Sequence, residues 1–250
     1  MLPRILGAVF NVLVALVLPL GALAVCLARK RYRHYVLPML VGTLTFLLSQ
    51  TFTRVPLLGW LGGQAWYVAF TTQTVPYALF LGLTAGLFEE LGRFIAMRLM
   101  RRHRGFGSAL AFGLGHGGVE AVWLVGINYL AVLLLYGGTL ALYPWDQIFA
   151  AGFERLFAIL AHIGFSVLVM RSVENKRPWG LVAAILLHAA LDAGIVLLAQ
   201  RVNSLWVVEG AIAAFSLGLF VYVLASRPKT AAPLEPESII KTEVSHEENT

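Results

Sequence analysis

Long apolar runs cut by short basic clusters dominate this chain. Seven stretches are each near the ~20 residues that a bilayer core requires: Ile5–Ala28, Val36–Thr53, Pro76–Leu99, Phe106–Tyr136, Asp146–Met170, Pro178–Ala199 and Leu205–Ser226. They predict an all-α, polytopic membrane helix bundle of about seven transmembrane helices, spanning 1–226 as one domain. The first run is too long for the apolar region of a signal peptide. Its basic cluster, Arg29–Arg33, follows it rather than precedes it, so it is read as a retained span. Pro56–Val75 holds Trp60, Gly62, Gly63 and Trp66 and suits an interfacial or re-entrant piece with aromatic anchors. The fourth run is long and rich in glycine (Gly107, Gly113, Gly115, Gly117, Gly118, Gly126), which predicts a kink, a break or close helix packing. The tail, 227–250, is polar and predicts disorder.

Composition agrees with the pattern. Hydrophobic residues make up 59% and charged residues 13% of the chain, against roughly half and a quarter in soluble proteins. Mean hydropathy is +0.78. The single cysteine, Cys26, excludes a disulfide framework. The net charge of +6 punctuates the spans, so it is a topology signal and not a nucleic-acid surface. One set of connections carries Arg29, Lys30, Arg31, Arg33, then Arg98–Arg104, then Arg171, Lys176, Arg177, then Arg227, Lys229 and Lys241. The alternate set carries only Arg4, Arg54 and Arg201. The positive-inside rule then sets the N-terminus outside and the C-terminus inside. The expected location is the cell membrane of a prokaryote.

Four spans break the apolar pattern well away from their ends. The third holds Glu89, Glu90 and Arg93. The fourth holds His116 and Glu120, the fifth Glu154, Arg155 and His162, and the sixth His188 and Asp192. The other three spans carry essentially none. An ionised group in hydrocarbon costs roughly 2.5–3.5 kcal/mol even on lenient scales, so these residues need one another, water or a metal. At 1.5 Å per residue, Glu90, His116, His162 and His188 all fall about 12–18 Å from the basic boundary. That is one level near mid-membrane, reached from alternating directions. His116/Glu120 and His188/Asp192 are i, i+4 pairs, so each carboxylate is placed to orient its imidazole. Glu90 and Arg93 are i, i+3, placed for neutralisation. Glu89 sits about 100° around the helix from Glu90.

A carboxylate beside imidazoles, away from bulk water, is a general base for an attacking water. Histidines with carboxylates are also zinc ligands. No recognisable motif sets a serine, cysteine or threonine as a nucleophile beside them. Proton or metal-ion transport uses the same residue types and is the competing reading. It demands polar residues continuing to both surfaces. Glu154 and Arg155 lie toward the outer side and suit a structural pair or a gate, while His34 and His103 sit in solvated basic loops.

Three motifs stand in order on successive spans: Glu89-Glu90-Leu91-Gly92-Arg93, Phe112-Gly113-Leu114-Gly115-His116 and His188-Ala189-Ala190-Leu191-Asp192. Together they resemble the CAAX-protease and bacteriocin-processing superfamily of intramembrane proteases. With GHGGVEA in span four and ERLFAILAH in span five, they are most similar to its YhfC branch of intramembrane metalloproteases. The resemblance covers roughly residues 77–200. It implies an intramembrane endopeptidase in which Glu89 activates water together with His116. His188 and Asp192 stabilise the oxyanion or bind metal, and Glu90 and Arg93 brace the site. The arginine lies one residue closer to the acids than in the usual superfamily spacing, and Asp192 stands where some relatives have Asn. His162, with His116 and His188, makes a three-histidine set for Zn2+, although glutamate catalysis without metal is open to the same residues. The implied partners are lipid and a peptide or membrane-protein substrate, with no nucleic acid.

Overall fold

The computed structural model describes residues 1–227, and the predicted disordered tail beyond Arg227 lies outside that range. Among the described residues the chain is helical, with no strand. Helix α1 is Leu2–Ala28 and α2 is Lys30–Gly62. A short α3, Ala65–Thr71, leads into α4, Thr74–Leu99. Then come α5, Phe106–Leu135, α6, Trp145–Asn175, α7, Trp179–Arg201, and α8, Leu205–Ala225. Six of these are long and apolar enough to cross a membrane: α1, α2, α5, α6, α7 and α8. The remaining long helix, α4, has 26 residues and carries the two central acids.

The basic segments gather at one end of the bundle. There Gly107 meets the Tyr35 ring, and Arg171 of α6 donates to the Ser226 carbonyl at 2.9 Å. At the other end Arg4 Nε donates to the Tyr143 carbonyl at 2.8 Å. Helix α6 is the central post, with α1, α4, α5, α7 and α8 all packed against it. The largest apolar core lies toward the basic end and includes Met97, Phe112, Phe165, Val169 and Met170.

Two local features differ from the sequence expectation. Helix α2 does not end near Thr53. It winds as a π-helix over Leu47–Arg54 and continues to Gly62, where Gly63 and Gln64 turn the chain into α3. Proline cannot donate to the preceding turn, and its ring crowds the carbonyl four residues back. A widened turn ahead of Pro56 absorbs that clash and lets the helix go on. The same device, Leu13–Val17, precedes Pro19 in α1. Arg54, expected in a loop, is therefore inside the helix. The break expected in the fourth span is a π-helical turn at Val122–Gly126.

Close packing accompanies that break. A Cβ on Gly113 would lie 2.5 Å from Ile163 Cα, and one on Gly117 would lie 3.0 Å from His162 Cβ. Likewise a Cβ on Gly82 would sit 2.4 Å from the Ala189 carbonyl, and one on Gly86 2.7 Å from that of Ile185. These glycines let α5 approach α6, and α4 approach α7, at backbone distance. Gly113→Val therefore forces helices apart, at about 1–3 kcal/mol. Thermal unfolding in detergent should show a midpoint lowered by roughly 5 °C, since a kcal/mol is worth about 2–4 °C at this size. Gly59→Val, whose added Cβ meets nothing within 4 Å, should leave it unchanged.

Candidate active site

Helix α4 brings Glu89, Glu90 and Arg93 to the centre of the bundle, where all three are buried and the last two have no exposure at all. Arg93 Nη1 donates to both Glu90 oxygens at 2.9 Å. Glu90 Oε1 also accepts from His188 Nδ1 at 2.8 Å. Arg93 Nη2 lies 3.1 Å from His162 Nδ1. A guanidinium only donates, so Nδ1 accepts and the proton of a neutral His162 is assigned to Nε2. That nitrogen faces Glu120 Oε2 at 2.6 Å. Glu120 Oε1 in turn accepts from Arg155 Nη1 at 2.6 Å, and Arg155 also donates to Glu154.

Glu89 is the hub. Its Oε2 is 2.9 Å from His116 Nε2 and 3.9 Å from His162 Nδ1. Its Oε1 accepts from the Gln50 amide and is 3.9 Å from His188 Nε2. Three imidazole nitrogens from three helices thus converge on one carboxylate. The sequence predicted this meeting of Glu89, Glu90, His116, His162 and His188.

The wiring differs from the i, i+4 expectation. Glu120 pairs with His162 across helices rather than with His116. Asp192 is 3.9 Å from His188 Nε2, so Glu90 and not Asp192 orients that ring. One turn along a helix supplies proximity, but the helix contacts at Gly113 and Gly117 put a better-aligned partner nearer. Asp192 instead stands partly exposed on the wall of a cavity.

That cavity has a volume of about 450 Å3. Glu89, His162 and His188 reach it, as do Asp192, Glu120 and Arg155. Glu90, Arg93 and His116 stand behind its wall.

Sequence reasoning gave no site role to three polar residues: Gln50 and Glu209, in spans taken as uncharged, and Arg54, taken as part of a connection. Gln50, which holds Glu89, is itself held by Arg54 Nη1 at 3.2 Å. Arg54 is anchored to the Leu81 carbonyl at 2.7 Å and Thr84 Oγ1 at 3.2 Å. Glu209 of α8 is also buried. The signal for Gln50 and Arg54 was their i, i+4 spacing within an apolar stretch. The presumed helix end hid it.

The donor set fits a divalent cation. Ligand atoms of Glu89, His116 and His162 lie within 4.8 Å of one another, all buried. The tight group therefore includes the glutamate, with His188 at its edge, where three histidines were expected. His162 and His188 each have a carboxylate on the far nitrogen, the arrangement that orients metal-ligating imidazoles. His116 Nδ1 is buried with no partner. Arg93 occupies His162 Nδ1, so an ion takes that nitrogen only as the guanidinium withdraws.

The chain matches the profile of the family described as YhfC intramembrane metalloprotease over residues 14–141 and 133–212. It belongs to that family. It is also 33% identical over 241 residues to the "Uncharacterized membrane protein YhfC" of Bacillus subtilis (strain 168), covering 82% of this chain and 90% of the relative. No solved structure matches. The YhfC match spans every residue of the Glu89 cluster.

In this YhfC-family protein the Glu90–Arg93 pair should dominate stability. Arg93→Leu leaves a buried carboxylate without its guanidinium, and such a loss costs about 3–5 kcal/mol. Thermal unfolding in detergent should show the single variant strongly destabilised. The double variant Glu90→Gln/Arg93→Leu should recover part of the loss.

Proposed function

We propose that this protein is an intramembrane metal-dependent endopeptidase of a prokaryotic cell membrane, hydrolysing a peptide bond near mid-membrane depth. The observation that supports this most is the convergence of three imidazoles on one glutamate at the cavity wall. The residues that would hold the ion are Glu89 through Oε2, His116 and His162. Such an ion, zinc by its donor set, makes bound water acidic and polarises a carbonyl.

The protein's own residues supply the rest. Gln50 holds Glu89 Oε1, and this oxygen takes the proton of the attacking water. The water oxygen bonds to the scissile carbon. His188, fixed through Nδ1 by Glu90, presents Nε2 to the cavity, where it donates toward the carbonyl oxygen. The C–N bond then breaks, and the proton on Glu89 passes to the departing amine. Asp192 stands 3.9 Å from His188 Nε2 on the same cavity wall, a carboxylate facing the doubly protonated ring that this step uses. Glu90 and Arg93 do no chemistry in this scheme: Glu90 holds His188, and Arg93 neutralises Glu90.

An ion-conduction reading fits less well. Conduction needs polar groups toward both ends, whereas the basic-end side of the site is filled by Met97, Phe112, Phe165 and Met170.

Glu89→Gln should lower the turnover of a membrane peptide by roughly 100-fold or more, the scale of general-base catalysis. His116→Ala should lose both the zinc of the purified protein and its activity. Helicity by circular dichroism should persist in each. Turnover that survives in strong chelator, or a parent protein that binds no metal, would overturn the metal-dependent scheme.

A further inference from the structure

The cavity at Glu89 runs in one direction only. Its floor is aromatic, formed by Phe46 and Phe165. Its mouth is lined by Arg54, Leu124, Glu154 and Ile195, from four different helices. Counted at 1.5 Å per residue from Val36, Phe106, Arg171 and Pro178, each mouth residue stands about 26–27 Å from the basic boundary. In a core ~30 Å thick that is the opposite membrane face. Glu89 itself, counted back from Arg98, is only about 14 Å from the basic boundary.

The side toward the basic loops is closed. Met97, Phe112 and Val169 have no exposure there, and Phe165 and Met170 are almost as deeply buried. A larger cavity of about 1100 Å3 does exist at the basic end, between α2 and α4, with Arg101, Arg102 and His103 at its rim. None of Glu89, His116, His162 or His188 lines it, so it is not a second way in.

We infer that the site is entered only from the face opposite the basic loops, and that its substrate is a polypeptide segment presented at that face. With basic loops inside, this is the external surface. The word substrate here rests on the hydrolase proposal, but the direction of access does not.

The test uses single cysteines in full-length protein lacking its native thiol, Cys26→Ser, in intact cells. Asp192→Cys probes the cavity wall and Ile195→Cys its mouth. Arg102→Cys marks the basic end and Met97→Cys the packed plug. A membrane-impermeant maleimide added outside should remove at least tenfold of the free thiol at positions 192 and 195. It should leave position 102 unreacted until the membrane is permeabilised, and position 97 unreacted throughout. Reaction of Asp192→Cys and Ile195→Cys only from the side of Arg102→Cys, or from neither side, would overturn the inference.

A second arm adds an impermeant, unstructured peptide to one side of sealed vesicles holding the parent protein. Cleavage from the external side supports the inference, and cleavage only of peptide trapped inside overturns it. External labelling at 192 and 195 without cleavage on either side upholds the direction of access and counts against hydrolysis.

Discussion

A guanidinium with no exposure to solvent holds the centre of this protein together. Arg93 sits where an isolated charge would be strongly disfavoured, so its partners are fixed by necessity. One nitrogen grips both oxygens of Glu90, and another reaches His162. Glu90, neutralised, has an oxygen left for His188. Through one side chain of α4, imidazoles on α6 and α7 acquire set positions and set tautomers. The site is thus ordered by a group that does not face the cavity.

From that centre the polarity climbs in one direction. His162 leads to Glu120, Glu120 to Arg155, and Arg155 to Glu154, each step nearer the cavity mouth. From Glu89 of α4, Gln50 and then Arg54 of α2 climb in parallel. Below the centre the packing is mainly methionine, phenylalanine, valine, alanine and leucine. Low dielectric on one side strengthens every charge interaction above it, and the same packing blocks water from beneath. Glycines are the condition for all of this. Ion pairs of 2.6–2.9 Å between helices need backbones close together, and Gly82, Gly86, Gly113 and Gly117 provide that approach.

The extension of α2 shows how a local defect becomes useful. A π-helical turn relieves Pro56 and carries Gln50 and Arg54 within its widened stretch. Gln50 then bonds Glu89, and Arg54 bonds Gln50. A helix stopped at Thr53 would have left Arg54 out. Polar residues that interrupt an apolar helix ahead of a proline therefore merit attention as inward-facing groups.

Hydropathy alone determined that this is an all-α bundle of long apolar helices, because every crossing must bury about thirty ångströms of apolar side chain and satisfy its own backbone. Counting from the basic clusters also gave a common depth for Glu90, His116, His162 and His188, since helical rise is fixed. What the sequence could not determine was which acid serves which imidazole. Glu120 left its helical neighbour for His162, and Glu90 displaced Asp192 as the partner of His188. Those choices depend on a few tenths of an ångström in helix approach and on side-chain rotamers, which only the assembled bundle sets. The one-sided cavity belongs to the same class of fact. Its wall takes side chains from six helices, α2, α4, α5, α6, α7 and α8, and no single helix carries that information.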